Sequence, residues 1–330
     1  MLSLVTGATG HLGGNLVRAL VGRGDGVRAL VHRRPGQALG GLDVQTVAGD
    51  VRNPADMDRA CAGIDVCYHL AAVISISGDK GGGVVSTNVE GVRTVARAAR
   101  RAGVNRFVHV SSVHAYDLDF EGALDESGPR AKEDDSAYNR AKRDGEAALR
   151  EEIAAGLPAV IVNPSGVLGP GDFEPSRMGR FFLGLARRRI PALVEGGFDW
   201  VDVRDVVAAI LAAAGRGKVG DNYFVTGRWA SIRQLAQMAA AHTGMRPPRL
   251  TVPVAIARIG APFSGLAAAL AGSEPLYTSE SLNAVSSRAR FVSKRAAGAL
   301  GHAPRGLEET VEAVHEDFRA RGLLPARGAP

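Results

Sequence analysis

Short apolar runs alternate with amphipathic stretches through the first half of the chain. Residues 2–5 read as a buried strand, 12–21 carry helical spacing, and 27–31 and 44–47 are strand-like again. A helix is predicted over 54–61 and a strand over 66–70. The stretch 84–101 reads as one long amphipathic helix with Val85, Val89, Val92, Val95, Ala96 and Ala99 on a common side. A strand over 107–110, a helix over 137–153 and a strand over 159–162 complete the series. Strands separated by helical segments imply right-handed crossovers, and so a doubly wound, parallel α/β sheet.

Beyond Gly166 the alternation breaks. Glycine, proline and aromatic residues mix through 166–200, with one helical run over 181–189. A strand end plus helix over 201–214, a strand over 223–226, and helices over 232–241 and 308–321 follow. The pattern predicts a core over 1–165, to which the chain returns around 198–226, and a smaller, irregular lobe over 166–330. No internal repeat is visible.

Composition narrows this picture. With 330 residues, 45% hydrophobic and 22% charged, the chain can bury a full core and matches a soluble globular protein. The net charge of +6 does not make a nucleic-acid site: the arginines are dispersed among 34 acidic residues, and runs such as Arg187-Arg188-Arg189 have no interleaved aromatics. Cys61 and Cys67 do not form a C-x-x-C pattern, so neither a metal site nor a redox pair is expected, and a reducing, cytoplasmic setting is the default. No leader is expected, because the first strand starts at residue 2. The apolar stretch 252–272 is interrupted by Pro253, Arg258 and Pro262, which argues against a spanning helix. It is predicted to cover a substrate, with a weak membrane-surface contact as the alternative.

Chemistry enters with Thr6-Gly7-Ala8-Thr9-Gly10-His11-Leu12-Gly13, which follows a strand and opens a helix. In that setting Gly7 permits the tight turn, Gly10 lets backbone approach a pyrophosphate, and Gly13 lets helix and strand pack closely. The helix N-terminus adds free N–H groups and partial positive charge. A Rossmann-type dinucleotide site is therefore predicted, with Gly7, Thr9, Gly10, His11 and Leu12 as cofactor contacts. The second strand ends Val31-His32-Arg33-Arg34 with no acid. Guanidinium groups can bind a 2′-phosphate that a carboxylate would repel. This favours NADP(H) over NAD(H), with Arg33 and Arg34 as the phosphate ligands.

Tyr138 and Lys142, four residues apart on a helix, lie on one face. A neighbouring ammonium favours the phenolate, so Lys142 is expected to lower the Tyr138 pKa. Ser111-Ser112 ends a strand, where the carboxyl ends of parallel strands meet the ligand crevice. A serine there can hydrogen-bond a substrate carbonyl while the tyrosine transfers the proton.

With these motifs in order, the sequence resembles an extended short-chain dehydrogenase/reductase of the NAD-dependent epimerase/dehydratase family. Within it the chain is most similar to the dihydroflavonol-4-reductase-like and 3β-hydroxysteroid-dehydrogenase-like branch, which includes members labelled hopanoid-associated sugar epimerases. The likeness runs through TGATGHLG at 6–13, VAGDVRNP at 47–54, HLAA at 69–72, STNVEGV at 86–92, HVSSV at 109–113, YNRAK at 138–142, VNPSGVLGPGD at 162–172 and WVDVRDVV at 200–207. It implies that Ser112 orients the substrate oxygen, Tyr138 is the acid/base, and Lys142 tunes the tyrosine and holds the nicotinamide ribose. Matching Ala115-Tyr116 to the family's usual Val-Tyr selects Ser112 over Ser111. Asp50 and Val51 match the adenine contacts, and Leu70, Ala71 and Ala72 the ribose side. Asn88 matches a residue that steadies the active site, and Pro164, Ser165 and Val167 match the loop over the nicotinamide. The branch arginine that closes the second strand aligns with His32, which shifts the 2′-phosphate role to Arg33.

The resemblance also separates substrate classes. Sugar-nucleotide enzymes carry an arginine shortly before the V-x-D segment; here that position is Phe198. Loss of a diphosphate clamp, together with an apolar cover over 252–270, favours a carbonyl reductase or alcohol dehydrogenase acting on a largely apolar small molecule. A sugar-nucleotide epimerase or dehydratase is the alternative, and a non-enzymatic dinucleotide sensor the third class. The family implies a monomer or homodimer, with the helices at 84–101 and 137–153 able to form a four-helix interface.

Overall fold

The computed structural model describes all residues except 33, 35, 76, 77, 245, 259–278 and 326–330, and does not describe the side chains of 279–281. Seven strands rich in Val, Ile, Leu and Ala pair only in parallel, and all but the edge strand Gln45–Ala48 are largely buried. They are β1 (Leu2–Thr6), β2 (Gly26–Val31), β3 (Gln45–Ala48), β4 (Val66–His69), β5 (Arg106–Val110), β7 (Ala159–Pro164) and β11 (Asn222–Val225). Their order is β11-β7-β5-β4-β1-β2-β3, a doubly wound Rossmann-type sheet.

Helices cover both faces. One layer contains α1 (His11–Gly22) and α7 (Val203–Arg216), packed through Leu16, Val17, Leu20, Val206 and Ile210. The other contains α2 (Pro54–Cys61) and α4 (Gly91–Arg101), packed through Met57, Ala60, Val95 and Ala99, beside α5 (Ala137–Ala154). Local chemistry sets the starts: Asn53 accepts from Ala55 N at 3.0 Å ahead of Pro54, and Ser136 accepts from Asn139 N at 3.1 Å.

The helix predicted over 84–101 is interrupted. A short turn α3 (Gly83–Val85) runs into a π-turn over Ser86–Glu90 before α4 begins. A π-turn adds one residue and rotates the preceding segment about the axis. Val84 therefore faces the core at 0% exposure, whereas Val85, assigned to the buried side, is 45% exposed. The packing partner explains the position: a side chain at Gly145 on α5 would meet the Asn88 carbonyl oxygen at 2.2 Å.

The second half builds small sheets around an aromatic cluster. Strands β12 (Arg228–Ser231), β10 (Gly197–Asp202) and β8 (Gly166–Leu168) form one sheet, β10 pairing antiparallel to β12 and parallel to β8. Strand β14 (Ala289–Phe291) pairs with β6 (Gly122–Leu124), and β13 (Leu250–Val252) with β9 (Ala192–Val194). Trp200 is buried in the three-stranded sheet and donates Nε1–H to Ala230 O at 3.0 Å, while Trp229 beside it is 58% exposed. The helix predicted at 181–189 is α6 (Arg177–Ala186): Ser176 caps it through Gly179 N, and Arg188 at φ +55° ends it. Helices α8 (Ile232–Thr243) and α11 (Leu307–Ala320) close over this cluster, with α9 (Ser279–Val285) and α10 (Lys294–Leu300) between them in sequence.

Among the described residues no helix is long and apolar enough to cross a membrane. From residue 259 onward, the apolar cover expected over 252–270 lies outside the described residues.

Candidate active site

The strand order reverses between β1 and β4, where Thr6 stands opposite His69. A crevice opens there, and Thr6, unremarked in the sequence, pins it. Its Oγ1 accepts from the N–H groups of Leu70 and Ala71, each at 3.2 Å, and pairs with His69 Nδ1 at 2.8 Å. Gly7 takes φ +68° directly above, and a Cβ there would sit 2.7 Å from Ala71 N. At Gly13 a Cβ would fall 2.0 Å from the Gly7 carbonyl oxygen. The first residues of α1 are thus pressed against the β1 turn.

Gly10 opens α1 with no side-chain cap and no acidic residue in the first turn. First-turn N–H groups have no intrahelical acceptor, so this end of the helix is a donor set without an anion of its own. Those donors, Thr9 and the exposed Gly10 fit a pyrophosphate. His11 is held aside by its Nε2 contact with Pro170 O at 3.0 Å, and Leu12 packs on the aliphatic core.

At the end of β2, His32 and Arg34 are exposed, and Arg33 lies outside the described residues. The sequence shows no acid in this segment, but folding delivers one from the next strand: Asp50 Oδ2 lies 3.4 Å from His32 Nε2. Arg52 occupies that carboxylate, its Nε donating to Oδ1 at 2.9 Å, and the hydrogen bond holds the Asp50 pKa down to about 2. Val51 is buried against Gly91.

Ser112, Tyr138 and Lys142 are brought together. Ser112 lies two residues beyond β5, and its Oγ accepts from His114 N at 3.2 Å. A hydrogen bond from Ser112 favours the Tyr138 phenolate, but burial outweighs it and pushes the phenol up to about 12. The expected lowering by Lys142 is therefore not found. The Lys142 ammonium lies over the ring, 5.9 Å from its centroid, and donates to Val110 O at 3.4 Å, while burial brings its own pKa down to about 8. Burial thus disfavours the charged form of each group. Asn88, on the π-turn, forms a two-way clamp with Val73: its Nδ2 donates to Val73 O at 2.9 Å and its Oδ1 accepts from Val73 N at 2.8 Å. Ala72 lies between that clamp and the Thr6 pin. Pro164 ends β7, Ser165 N donates to Val225 O at 3.2 Å, and Val167 pairs with Val201.

Three histidines escaped the sequence reading. His69 and His109 are buried and stacked 5.4 Å apart, and burial drives the first to about 3 and the second well below its usual range. His114 meets the Tyr138 ring edge-on at 5.5 Å, with Nδ1 2.9 Å from Asn139 Oδ1. On its other side stands Phe198, 5.5 Å away, which continues to Trp200 and Phe291 at 5.9 and 5.8 Å. A hint was available: both His69 and His109 sit within apolar strands, where a polar residue needs a reason. Among the described residues no three His, Cys, Asp or Glu side chains cluster as metal ligands would.

A turn-and-helix phosphate cradle beside a Ser–Tyr–Lys group marks the extended short-chain dehydrogenase/reductases. The chain belongs to the NAD dependent epimerase/dehydratase family, whose profile matches residues 3–226. It is 38% identical over 334 residues to "Sterol demethylase protein B" of Methylococcus capsulatus, covering 98% of this chain and all of that one. It is 35% identical over 270 residues to a 3-beta-hydroxysteroid dehydrogenase of Mycolicibacterium neoaurum, covering 76% and 72% of the two chains. The crystal structure of gox2253 superposes with a TM-score of 0.83 at 31% identity, covering 98% of this chain and 99% of that one. The protein is thus an enzyme of a nicotinamide-dependent family with oxidoreductase relatives.

Proposed function

We propose that the protein is an oxidoreductase that moves a hydride between NADP(H) and a largely apolar ketone, aldehyde or secondary alcohol, with an alicyclic substrate of sterol or steroid size favoured. Residues 1–165 seat the dinucleotide and 166–330 mainly shape the substrate cleft. The observation that carries this reading is the unbroken ring contact from Tyr138 through His114 to Phe198, Trp200 and Phe291. It makes the wall beside the acid/base aromatic at the position where sugar-nucleotide enzymes present a cation to a diphosphate. The names of the two relatives above, a sterol demethylase protein and a 3-beta-hydroxysteroid dehydrogenase, point the same way.

The bound nicotinamide supplies or accepts the hydride. Tyr138 donates the proton to the carbonyl oxygen in reduction and takes it back in oxidation. Ser112 hydrogen-bonds the same oxygen, and Lys142 holds the ribose. NADP(H) preference is supported by the exposed Arg34 and by Arg52, which neutralises the only carboxylate found beside His32 among the described residues.

A screen of NADPH consumption against alicyclic ketones, aldehydes and nucleotide sugars tests the substrate class; turnover of a nucleotide sugar without net cofactor change refutes it. Tyr138→Phe lowers kcat by about a thousandfold with cofactor Kd unchanged, and Lys142→Ala damages both. Arg34→Ala weakens NADPH binding more than NADH binding; tighter NADH binding by the wild type removes the cofactor preference.

A further inference from the structure

We propose that Glu146, one helical turn beyond Lys142 on α5, is a positioning residue that joins the charge of Lys142 to the placement of Ser112. The inference rests on the catalytic reading above. Glu146 is fully buried, and its carboxylate is the hub of a closed network. Oε1 accepts from Asn163 Nδ2 at 2.6 Å, and Oε2 accepts from Asn222 Nδ2 at 2.9 Å and from Arg130 Nη2 at 2.6 Å. Asn222 Nδ2 also donates to Asn163 Oδ1 at 2.8 Å. The same Asn163 amide donates to the Ser112 carbonyl oxygen at 3.0 Å. One buried anion therefore ties together β7 through Asn163, β11 through Asn222 and, through the Ser112 carbonyl, the segment that leaves β5.

Its charge has a second use. The groups whose charge bears on Lys142 are His69 from β4, His109 from β5, His114 from the turn after β5, and Glu146 one turn along its own helix, while the Tyr138 ring lies under its ammonium. The three histidines are kept neutral by burial, so they give an ammonium no counter-charge. Glu146 alone among these groups opposes the desolvation that drives Lys142 toward the amine. A buried carboxylate with one half-exposed arginine would be a costly ornament; set between the serine tether and the lysine, it keeps the ammonium charged and the hydroxyl in place. Sequence inspection passes it over because a glutamate on an amphipathic helix reads as surface.

The test reads Lys142 directly. The pH dependence of its acetylation, followed by mass spectrometry on the protein without turnover, yields a midpoint. In Glu146→Gln, which keeps the shape and removes the charge, the midpoint falls by about one pH unit, a tenfold larger amine fraction at a given pH below it. Glu146→Asp restores the wild-type midpoint. Arg130→Gln, at the half-exposed end of the network, raises it and keeps the idea testable if Glu146→Gln does not fold. Asn163→Ala leaves the midpoint in place but lowers kcat about tenfold with cofactor Kd unchanged. An unmoved midpoint in folded Glu146→Gln or in Arg130→Gln overturns the charge coupling, and an unchanged kcat in Asn163→Ala overturns the serine tether. Retained turnover in Tyr138→Phe would instead refute the catalytic reading, whatever the midpoint does.

Discussion

The parallel sheet and the second lobe hold themselves together with different materials. Around the sheet the core is Val, Ala, Leu and Ile, repeated on every strand and on both helical layers. Beside it, seven of the chain's ten phenylalanines, Phe224 of β11 among them, gather with Tyr116 and Trp200 around strands of three to six residues. Aliphatic packing is redundant: many small contacts share the load, and the periodic pattern alone specifies the faces. The aromatic lobe instead rests on a few large rings in defined geometry, such as Phe198 edge-on to Phe291 at 5.8 Å. The difference suggests that the sheet tolerates loss of volume better than gain at its turns, and the lobe the reverse.

Two substitutions of opposite sense sharpen that contrast. Phe318→Ala removes a fully buried ring from the lobe and is expected to cost about 4 kcal/mol. Gly13→Ala adds one methyl group 2.0 Å from a backbone oxygen and is expected to cost about 3 kcal/mol. Urea midpoints measure both, and only Gly13→Ala should also weaken nucleotide binding. A loss under 1 kcal/mol for Phe318→Ala would break the comparison.

Acid should single out the sheet. His69 and His109 are neutral when folded because burial lowers their pKa values, the first to about 3. Their stabilisation is complete above the unfolded value near 6.5 and declines as the pH falls below it. Each histidine contributes a slope of about 1 kcal/mol per pH unit. Stability measured from pH 7 to pH 4 should fall accordingly, and His109→Gln should flatten the curve. A pH-independent urea midpoint across that range would contradict the account.

Most of the sheet was legible in the sequence for the same reason that it is redundant. The helix over 54–61 has the predicted bounds, and the seven parallel strands were recognised to within two residues at each end. What failed were features set by contacts between distant segments. The π-turn at Asn88 depends on Gly145 across the helix interface. The small strands β6, β9, β13 and β14 acquire their pairing only from distant partners. At the site, order along the chain located Ser112, Tyr138 and Lys142 on the right elements. It could not show that desolvation outweighs the Ser112 hydrogen bond in setting the phenol, or that Asp50 arrives beside His32. Charge balance is a property of neighbours in space.

The chain has two tryptophans, and Trp200 and Trp229 sit on adjacent strands of the one three-stranded sheet. Intrinsic indole emission is consequently a private signal of the smaller lobe, with one sheltered and one wet chromophore and none in the parallel sheet. Far-ultraviolet ellipticity, dominated by the helices, reports the whole. Should the two curves separate during denaturation, the lobe would be melting as its own cooperative unit, with no label needed to see it.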